Sequence, residues 1–220
     1  MKTLIISGGN INPDFALSYY QNHAFDRIIG VDNGLQFLYR HQILPTHIVG
    51  DFDTADPELV EYYRAQTGIK IHTFPPMKNS TDTQLAIELA IELGSTYIVI
   101  LGGTGSRLDH VLGNIQSMML AKKAGVKCEL LDPHNRIRLV SGEILLKKAE
   151  QYGTYVSLIP LTNEVKGVEL MGFKYPLHNH TFTNTESAGL GVSNEIVDKE
   201  ARIRIREGLL ILIESSDEAL

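Results

Sequence analysis

The sequence predicts an α/β protein with two domains: a parallel-sheet domain of βα units over residues 1–133, and a smaller, sandwich-like all-β domain over residues 134–220. Up to about Pro133 the chain repeats a short β-branched apolar run, a turn rich in Gly, Asp and Asn, and a longer stretch with a 3.6-residue apolar period. From Asn135 the chain consists of short alternating segments, and none of them favours a long helix. The turn-rich Asp132–Asn135 marks the boundary.

Six short apolar runs are the predicted strands of the first domain. They are apolar on both faces, as expected for strands of a parallel sheet that helices cover on both sides. The predicted strands are Leu4–Ile6, Arg27–Val31, Ile48–Val49, Ile71–Thr73, Ile98–Leu101 and Cys128–Leu131.

Two helices between these strands have well-marked ends. Thr81–Leu93 can be capped by Ser80 or Thr81, and Leu108–Ala124 is the second strong case. Each is followed by a glycine that can end it. The first helix carries one apolar stripe, which consists of Leu85, Ala86, Leu89, Ala90 and Leu93.

The second domain shows the two-residue period of half-buried strands. Charged and apolar residues alternate over Arg202–Arg206, and a further apolar run covers Leu209–Ile213. Glu207 and Gly208 stand between the two runs, so we expect a turn there.

The composition limits the class of ligand. Of 220 residues, 43% are hydrophobic and 21% are charged, which is ordinary for a folded protein and excludes disorder. The formal net charge is −6, and no block of Lys and Arg occurs. Nucleic acids and anionic membranes are bound by clustered positive charge, so we expect neither as a partner. A cationic or metal-chelated ligand fits better.

Three features favour the cytoplasm. The longest aliphatic or aromatic runs, Tyr97–Leu101 and Leu209–Ile213, have five residues each, far short of the roughly 20 of a membrane-spanning helix. The chain reaches Gly8 before the apolar stretch of a secretory signal could form. A single cysteine, Cys128, allows no internal disulfide and agrees with a reducing compartment.

Polar turns that follow the predicted strands are the candidate functional segments, because ligands of open parallel sheets bind at the carboxyl ends of the strands. If the βα interpretation holds, these turns lie on one edge of the sheet. They are Asp32–Gly34, Gly50–Thr54, Lys78–Asp82 and Gly102–His110.

Asp51 and Asp53 are candidate metal ligands. In extended geometry their carboxylates point the same way and would repel each other, and a divalent cation resolves this conflict. Mg²⁺ prefers carboxylate, water and phosphate oxygens, and Asp82 is a third acid expected at the same edge. The alternative is that Asp51 and Asp53 only form a turn and that Asp82 only complements the helix dipole.

The loop from Gly102 to Gly105 is a candidate anion site. Its glycines let backbone N–H groups approach an anion, and Arg107 adds a planar fork of donors suited to phosphate. Neither standard nucleotide loop is present, since no Gly-Lys-Ser/Thr occurs and Leu108 replaces the third glycine of the dinucleotide fingerprint. On the following helix, His110 and Asn114 share a face, although a lone histidine there is more often structural.

Taken together, these segments strongly resemble the thiamine pyrophosphokinase family in its bacterial form, over nearly the whole chain. The matching segments are Asp32–Gly34, Gly50–Asp53, Lys78–Thr83, Gly102–His110 followed by Asn114, and Gly191–Glu195. The chain departs from the family pattern at Asn33, Asn79 and Ser106.

The resemblance implies an Mg²⁺-dependent transfer of pyrophosphate from ATP to the hydroxyethyl group of thiamine, leaving AMP, by a homodimer. It implies an ATP-binding first domain and a thiamine-binding second domain. The implied metal ligands are Asp51, Asp53 and Asp82, which are also catalytic together with Arg107 and Asp109. The implied nucleotide contacts are Asp32, Asn33, Lys78, Thr81, Gly103, Gly105, Arg107, His110 and Asn114, and the implied thiamine contacts are Ser193 and Asn194.

Two other functions remain open at this point. Asp51–Asp53 also fits the Asp-x-Asp metal site of nucleotide-sugar transferases, but such an enzyme leaves the Arg107–His110 segment and the β domain unexplained. A noncatalytic nucleotide-sensing module could bind Mg²⁺ and ATP through the same acids without forming AMP. Which acid assists the attacking hydroxyl is also open.

Overall fold

The computed structural model describes residues 1–52, 57–73, 80–185 and 189–219. The chain divides into two compact units, Met1–Asp132 and Pro133–Leu220. The first is an α/β unit with a parallel sheet and the second is rich in antiparallel strands, so the predicted fold class is confirmed.

All six predicted strands of the first unit are present and parallel, and they lie in the order β6-β5-β1-β2-β3-β4. The central strands are buried along almost their whole length, because helices cover both faces. The strands are β1 (Lys2–Ile6), β2 (Arg27–Val31), β3 (His47–Gly50), β4 (Lys70–Thr73), β5 (Tyr97–Leu101) and β6 (Lys127–Leu131).

The prediction of two buried faces is wrong for β4. This strand lies at the edge of the sheet, and none of its four residues is fully buried. An edge strand has a neighbour on one side only, so helices cover it less completely than they cover the centre.

In the described parts of this unit, five helices connect the strands. Both helices that were predicted with marked ends are confirmed to within two residues at each end, and the side chain of Thr81 accepts a hydrogen bond from the Gln84 backbone N–H at 3.2 Å. The helices are α1 (Pro13–Asn22), α2 (Gly34–Arg40), α3 (Pro57–Ala65), α4 (Asp82–Glu92) and α5 (Leu108–Lys123).

The strand order creates a switch point between β1 and β5. From β1 the chain builds the sheet outwards through β2, β3 and β4, and then returns to the other side of β1 to add β5 and β6. Connections that leave β1 and β5 therefore diverge, and this divergence opens a crevice at the carboxyl ends of these two strands.

The second unit is an antiparallel sheet. Its strands lie in the order β10-β9-β11-β7, and β8 also pairs with β11. Buried aliphatic and aromatic side chains such as Val165, Phe182 and Leu212 form its core. The strands are β7 (Asn135–Lys147), β8 (Tyr155–Pro160), β9 (Glu164–Met171), β10 (Leu177–Thr183) and β11 (Glu200–Ser215).

The predicted turn at Glu207 and Gly208 is wrong, because β11 runs through both residues. Pairing with β7 shifts between Ile205 and Leu210, which identifies a bulge. Gly208 adopts a φ of +94°, and a Cβ there would lie 2.6 Å from the Glu164 carbonyl oxygen. The glycine thus allows a bulge inside one long strand. No helix in the described parts of the chain is long and apolar enough to cross a membrane.

Candidate functional site

A cavity of about 870 Å³ lies at the switch point of the first unit. Its wall consists of the loops after β1, β2 and β5 together with the first turns of α4 and α5. The sheet topology predicts a ligand site at this position. Its lining residues are Ser7, Gly8, Gly9, Asn10, Asp32, Asn33, Thr81, Asp82, Thr83, Gly102, Gly103, Thr104, Gly105, Ser106, Arg107, His110, Val111 and Asn114.

The loops after β1 and β5 are bonded to each other through their backbones. The N–H groups of Gly9 and Asn10 donate to the carbonyl oxygens of Gly102 and Thr104, each at 2.8 Å. A Cβ on Gly9 would lie 2.3 Å from the Thr104 oxygen, so only glycine fits there. Two glycine-containing loops therefore form one wall with closely packed backbone.

Asn114 braces this wall from α5. It is 6% exposed, and its side-chain amide donates to the Gly103 carbonyl oxygen at 2.8 Å. His110 stands one turn earlier on the helix and also lines the cavity. The predicted shared face is confirmed, but the described contact of Asn114 is with the loop backbone.

Arg107 and Asp109 form an ion pair at the start of α5. One guanidinium nitrogen, Nη2, lies 2.7 Å from Oδ2 of Asp109, and Nε lies 3.3 Å from Oδ1. This hydrogen-bonded pairing with Arg107 is the main cause that lowers the pKa of Asp109 to about 2. Arg107 lines the cavity, whereas Asp109 is not among the described lining residues. The geometry favours Asp109 as a residue that orients Arg107.

The turn after β2 brings Asp32 and Asn33 to the cavity. Asp32 has a φ of +45°, and a Cβ on Gly50 would lie 2.7 Å from its Oδ1 atom, so this carboxylate lies beside the end of β3. At Gly34, a Cβ would lie 2.2 Å from the Ile6 carbonyl oxygen. A larger residue at Gly34 would push α2 away from β1.

Of the turn after β3, the structure describes Asp51 and Phe52. Asp51 directly follows the strand, and Phe52 has a φ of +59°, which is not an extended backbone conformation. The direction of the Asp53 carboxylate relative to that of Asp51 therefore stays a prediction. Asp53 and Lys78 lie outside the described residues, and Asp51 is not among the described lining residues.

The start of α4 supplies the second described acid of the cavity. Asp82 is the first residue of this helix, and both it and the capping residue Thr81 line the cavity. Within the described ranges, no group of three His, Cys, Asp or Glu side chains is arranged to hold a metal ion. Asp32 and Asp82 are of the ligand type that Mg²⁺ prefers, since this ion usually takes one or two protein carboxylates and completes its coordination with water and phosphate oxygens.

The lining includes residues that the sequence did not identify as functional. Ser7, Gly8, Gly9 and Asn10 come from the loop after β1, and Thr83 comes from the first turn of α4. A signal for this loop exists, since Gly8-Gly9 directly follows a predicted strand. Its importance depends on β1 lying next to β5, which the order of elements along the chain does not reveal.

In the second unit, Asn194 is buried and bonded to backbone. Its Oδ1 accepts from the N–H groups of Tyr175 and Glu195 at 3.0 and 2.9 Å, and its Nδ2 donates to the Tyr175 carbonyl oxygen at 2.8 Å. Ser193 is exposed, with a φ of +59°. Of the two residues expected to contact thiamine, Ser193 is therefore the accessible one, and Asn194 connects two chain segments.

Comparison with known proteins identifies relatives along the whole chain. Residues 19–130 match the family model described as thiamin pyrophosphokinase, catalytic domain. Residues 142–210 match the one described as thiamin pyrophosphokinase, vitamin B1 binding domain. Among curated proteins, the thiamine pyrophosphokinase of Bacillus subtilis (strain 168) is 36% identical, over 99% of this chain and 100% of its own length.

Comparison with solved structures gives the same result as the sequence comparison. The crystal structure of thiamine pyrophosphokinase from Bacillus subtilis has a TM-score of 0.87 at 32% identity, and covers 99% of this chain and 100% of its own. That of thiamin pyrophosphokinase from Geobacillus thermodenitrificans has a TM-score of 0.83 at 29% identity, with 99% of each chain covered. Because both domain models match in order and a full-length relative is 36% identical, the chain belongs to the thiamin pyrophosphokinase family of enzymes.

Proposed function

We propose that this chain transfers the pyrophosphoryl group of ATP to thiamine, with Mg²⁺, and produces thiamine diphosphate and AMP. The observation that carries the proposal is the switch-point cavity, in which two glycine-containing loops, two carboxylates and an arginine meet. Backbone N–H groups and a guanidinium suit phosphate oxygens, and carboxylates suit the metal that accompanies them. Family membership supplies the acceptor, thiamine.

The proposed reaction needs positioning more than covalent help from the protein. The hydroxyl oxygen of thiamine attacks the β-phosphorus of ATP and gives up its proton. The bond between this phosphorus and the oxygen that bridges it to the α-phosphorus breaks, and AMP leaves with that oxygen. Transfers of this kind depend on alignment of the two oxygens and on neutralisation of the charge that spreads over the phosphate oxygens.

The residues proposed for the nucleotide site comprise metal ligands, a phosphate-binding arginine and further nucleotide contacts. Mg²⁺, when bound, would neutralise charge on the phosphate chain, and the residues proposed to hold it are Asp32, Asp51, Asp53 and Asp82. Arg107 keeps Nη1 for a phosphate oxygen while its other nitrogens contact Asp109. The remaining proposed nucleotide contacts are Asn33, Lys78, Thr81, Gly103, Gly105, His110 and Asn114.

We revise the role of Asp109 within this proposal. A carboxyl group with a pKa of about 2 is a weak base, so Asp109 is a poor acceptor for the thiamine hydroxyl proton while it is paired with Arg107. We assign it to the orientation of the arginine fork. The proton acceptor is then one of the other acids or solvent.

We place thiamine binding in the second domain, residues 134–220, and ATP binding in the first, residues 1–133. The match of residues 142–210 to the vitamin B1 binding model supports this division. The net charge of −6 suits the permanent positive charge of the thiazolium ring. Ser193 is the proposed side-chain contact with thiamine. The side chain of Asn194 accepts a hydrogen bond from the backbone N–H of Glu195, and it thereby fixes the backbone that follows Ser193.

We also propose that the chain is a cytoplasmic homodimer. Three apolar side chains near Ser193 in the sequence, Leu190, Val192 and Val197, are exposed, and contact with a second copy would cover them. Burial raises the pKa of the Cys128 thiol to about 12, so little thiolate forms at neutral pH, and a single free cysteine agrees with a reducing compartment. Light scattering should give twice the chain mass of 24.5 kDa, and a monomeric mass would contradict the dimer.

A product assay tests the proposed reaction against both alternatives. The protein is incubated with ATP and Mg²⁺, with and without thiamine, and nucleotides are separated by chromatography. We expect AMP and thiamine diphosphate in equal amounts, and only when thiamine is present. Unchanged ATP would favour the noncatalytic module, and release of UDP or GDP from an added nucleotide sugar would favour the transferase.

A further inference from the structure

Two buried pairs of hydroxyl groups join β1 to the two ends of α4. Ser7 Oγ lies 2.6 Å from Thr83 Oγ1 near the start of the helix. Thr3 Oγ1 lies 2.6 Å from Ser95 Oγ just beyond its end. All four residues are at most 6% exposed, so the two pairs share their chemistry, their burial and the elements that they connect.

Only the first pair belongs to the wall of the cavity. Ser7 directly follows β1, and its backbone N–H donates to the carbonyl oxygen of Leu101, the last residue of β5, at 2.8 Å. Thr83 is the second residue of α4 and directly follows Asp82. The hydroxyl contact therefore connects the switch point of the sheet to the residue next to a proposed metal ligand.

Two hydrogen bonds at the start of α4 differ in what they connect. Thr81 caps the helix through Gln84, a bond that lies within the helix end itself and does not fix the helix to the sheet. The Ser7–Thr83 contact spans 76 residues of sequence and does fix it. A shift of about 1 Å in a substrate-positioning group can cost an enzyme about a hundredfold in rate, so such a restraint matters for function.

We propose that Ser7 and Thr83 are positioning residues, whose hydroxyl pair holds the first turn of α4, and with it Asp82, at the phosphate end of the cavity. This inference rests on the proposed function, because it takes Asp82 as an acid of the nucleotide site. It gives the pair a role that the equally buried Thr3–Ser95 pair at the far end of the helix does not have.

The test compares the two pairs. Thr83→Val and Ser7→Ala remove the contact at the cavity, and Thr3→Val and Ser95→Ala remove its counterpart with the same loss of one buried hydrogen bond. Binding of α,β-methylene-ATP with Mn²⁺ is measured by calorimetry, with a melting curve for each variant. We expect similar decreases in melting temperature for the variants at both ends of α4. We expect roughly a tenfold or greater loss of affinity only for Ser7→Ala and Thr83→Val.

Rescue and the concentration of Mg²⁺ at half-maximal rate complete the test. Thr83→Ser retains a hydroxyl and should recover most of the affinity, and Thr83→Val should need roughly tenfold more Mg²⁺. Equal affinities for all four variants, or a shifted Mg²⁺ requirement in Thr3→Val as well, would overturn the positioning role alone. A wild-type protein that binds no analogue and forms no AMP would overturn the proposed function and this inference together.

Discussion

Three residues with an unusual backbone conformation lie in the segments that the proposed function uses. Asp32, Phe52 and Ser193 have φ values of +45°, +59° and +59°, in the left-handed region that few residues other than glycine adopt, although aspartate does so more readily than phenylalanine or serine. Such conformations cost roughly 1–3 kcal/mol each, and they persist where the surrounding structure fixes them. Their positions next to the ends of β2 and β3 and within Gly191–Glu195 support a functional use.

The charge of Asp82 is the first residue-scale prediction. Asp82→Asn keeps the shape but removes the negative charge, so turnover should fall by at least about a hundredfold, as is typical when one preorganised electrostatic contact is lost. Asp14→Asn is the control, since Asp14 also stands in the first turn of a helix but is exposed. Steady-state rates at limiting Mg²⁺ measure the effect, and near-normal turnover of Asp82→Asn would remove it from the site.

The planar geometry of the Arg107 side chain gives the second prediction at the residue scale. Arg107→Lys keeps the positive charge but loses the planar fork, so the ATP-dependent rate at saturating thiamine should fall about tenfold or more. Arg64→Lys is the control, because Arg64 is an exposed arginine in a comparable ion pair with Glu61 at 2.6 Å. Equal rates for wild type and Arg107→Lys would show that only the charge at this position is used.

The two residues expected to contact thiamine should behave differently. Asn194→Ala removes three hydrogen bonds to the backbone of Tyr175 and Glu195, so the free energy of unfolding should fall by about 2–3 kcal/mol. Ser193→Ala should leave the melting temperature unchanged and weaken thiamine binding. Melting curves and calorimetric titration with thiamine measure both quantities, and a selective loss of thiamine affinity in a fully stable Asn194→Ala would contradict this division of roles.

At the scale of elements, close packing of the loops after β1 and β5 should limit substitution. Gly9→Ala places a Cβ 2.3 Å from the Thr104 oxygen, so it should lower the free energy of unfolding by about 1–3 kcal/mol and reduce activity. Gly113→Ala, inside α5 with no atom within 4 Å of the added Cβ, should raise it by about 0.5–1 kcal/mol. Denaturant unfolding of both variants checks the prediction, and a neutral Gly9→Ala would contradict the tight contact between the loops.

The edge pair β3–β4 should lose stability in mild acid. Burial is the main cause that lowers the pKa of His47 from 6.5 to about 4, followed by the positive charges of His72, Lys70 and Arg27. The unfolded chain thus takes up a proton that the folded chain resists, so the free energy of unfolding falls as pH decreases from about 6.5 towards 4. His47→Gln should reduce this dependence in denaturant titrations, and exposed His23→Gln should not. If the free energy of unfolding of His47→Gln depends on pH as it does in the wild type, the assignment to His47 is wrong.

At the scale of the whole molecule, the sequence predicted the features that depend on residues close together in the chain. All six strands of the first unit and the two marked helices follow from apolar periodicity and from caps such as Thr81. Asp32 and the Gly102–Gly105 loop of the cavity were predicted because they directly follow strands, and Asp82 because it begins a capped helix. The segments around Asp53 and Lys78 lie outside the described residues, so their assignments stay predictions.

The remaining features depend on contacts between residues that are distant in sequence. A turn and a bulge at Gly208 use the same residue types, and only pairing with β7 on both sides distinguishes them. The family resemblance implies Asn194 as a thiamine contact, but its hydrogen bond to Tyr175 spans 19 residues of sequence and is not evident from a local pattern. The loop at Gly8 and Gly9 was missed because its place at the switch point depends on strand order.

A crystal structure with α,β-methylene-ATP, Mg²⁺ and thiamine tests the central claim most directly, namely that the switch-point cavity holds the phosphate chain for transfer to thiamine. We expect phosphate oxygens within hydrogen-bonding distance of the backbone N–H groups around Gly9 and Gly103, with Asp82 at the metal and the thiamine hydroxyl facing the β-phosphorus. A nucleotide bound outside this cavity, or a thiamine hydroxyl directed away from the β-phosphorus, would contradict the account.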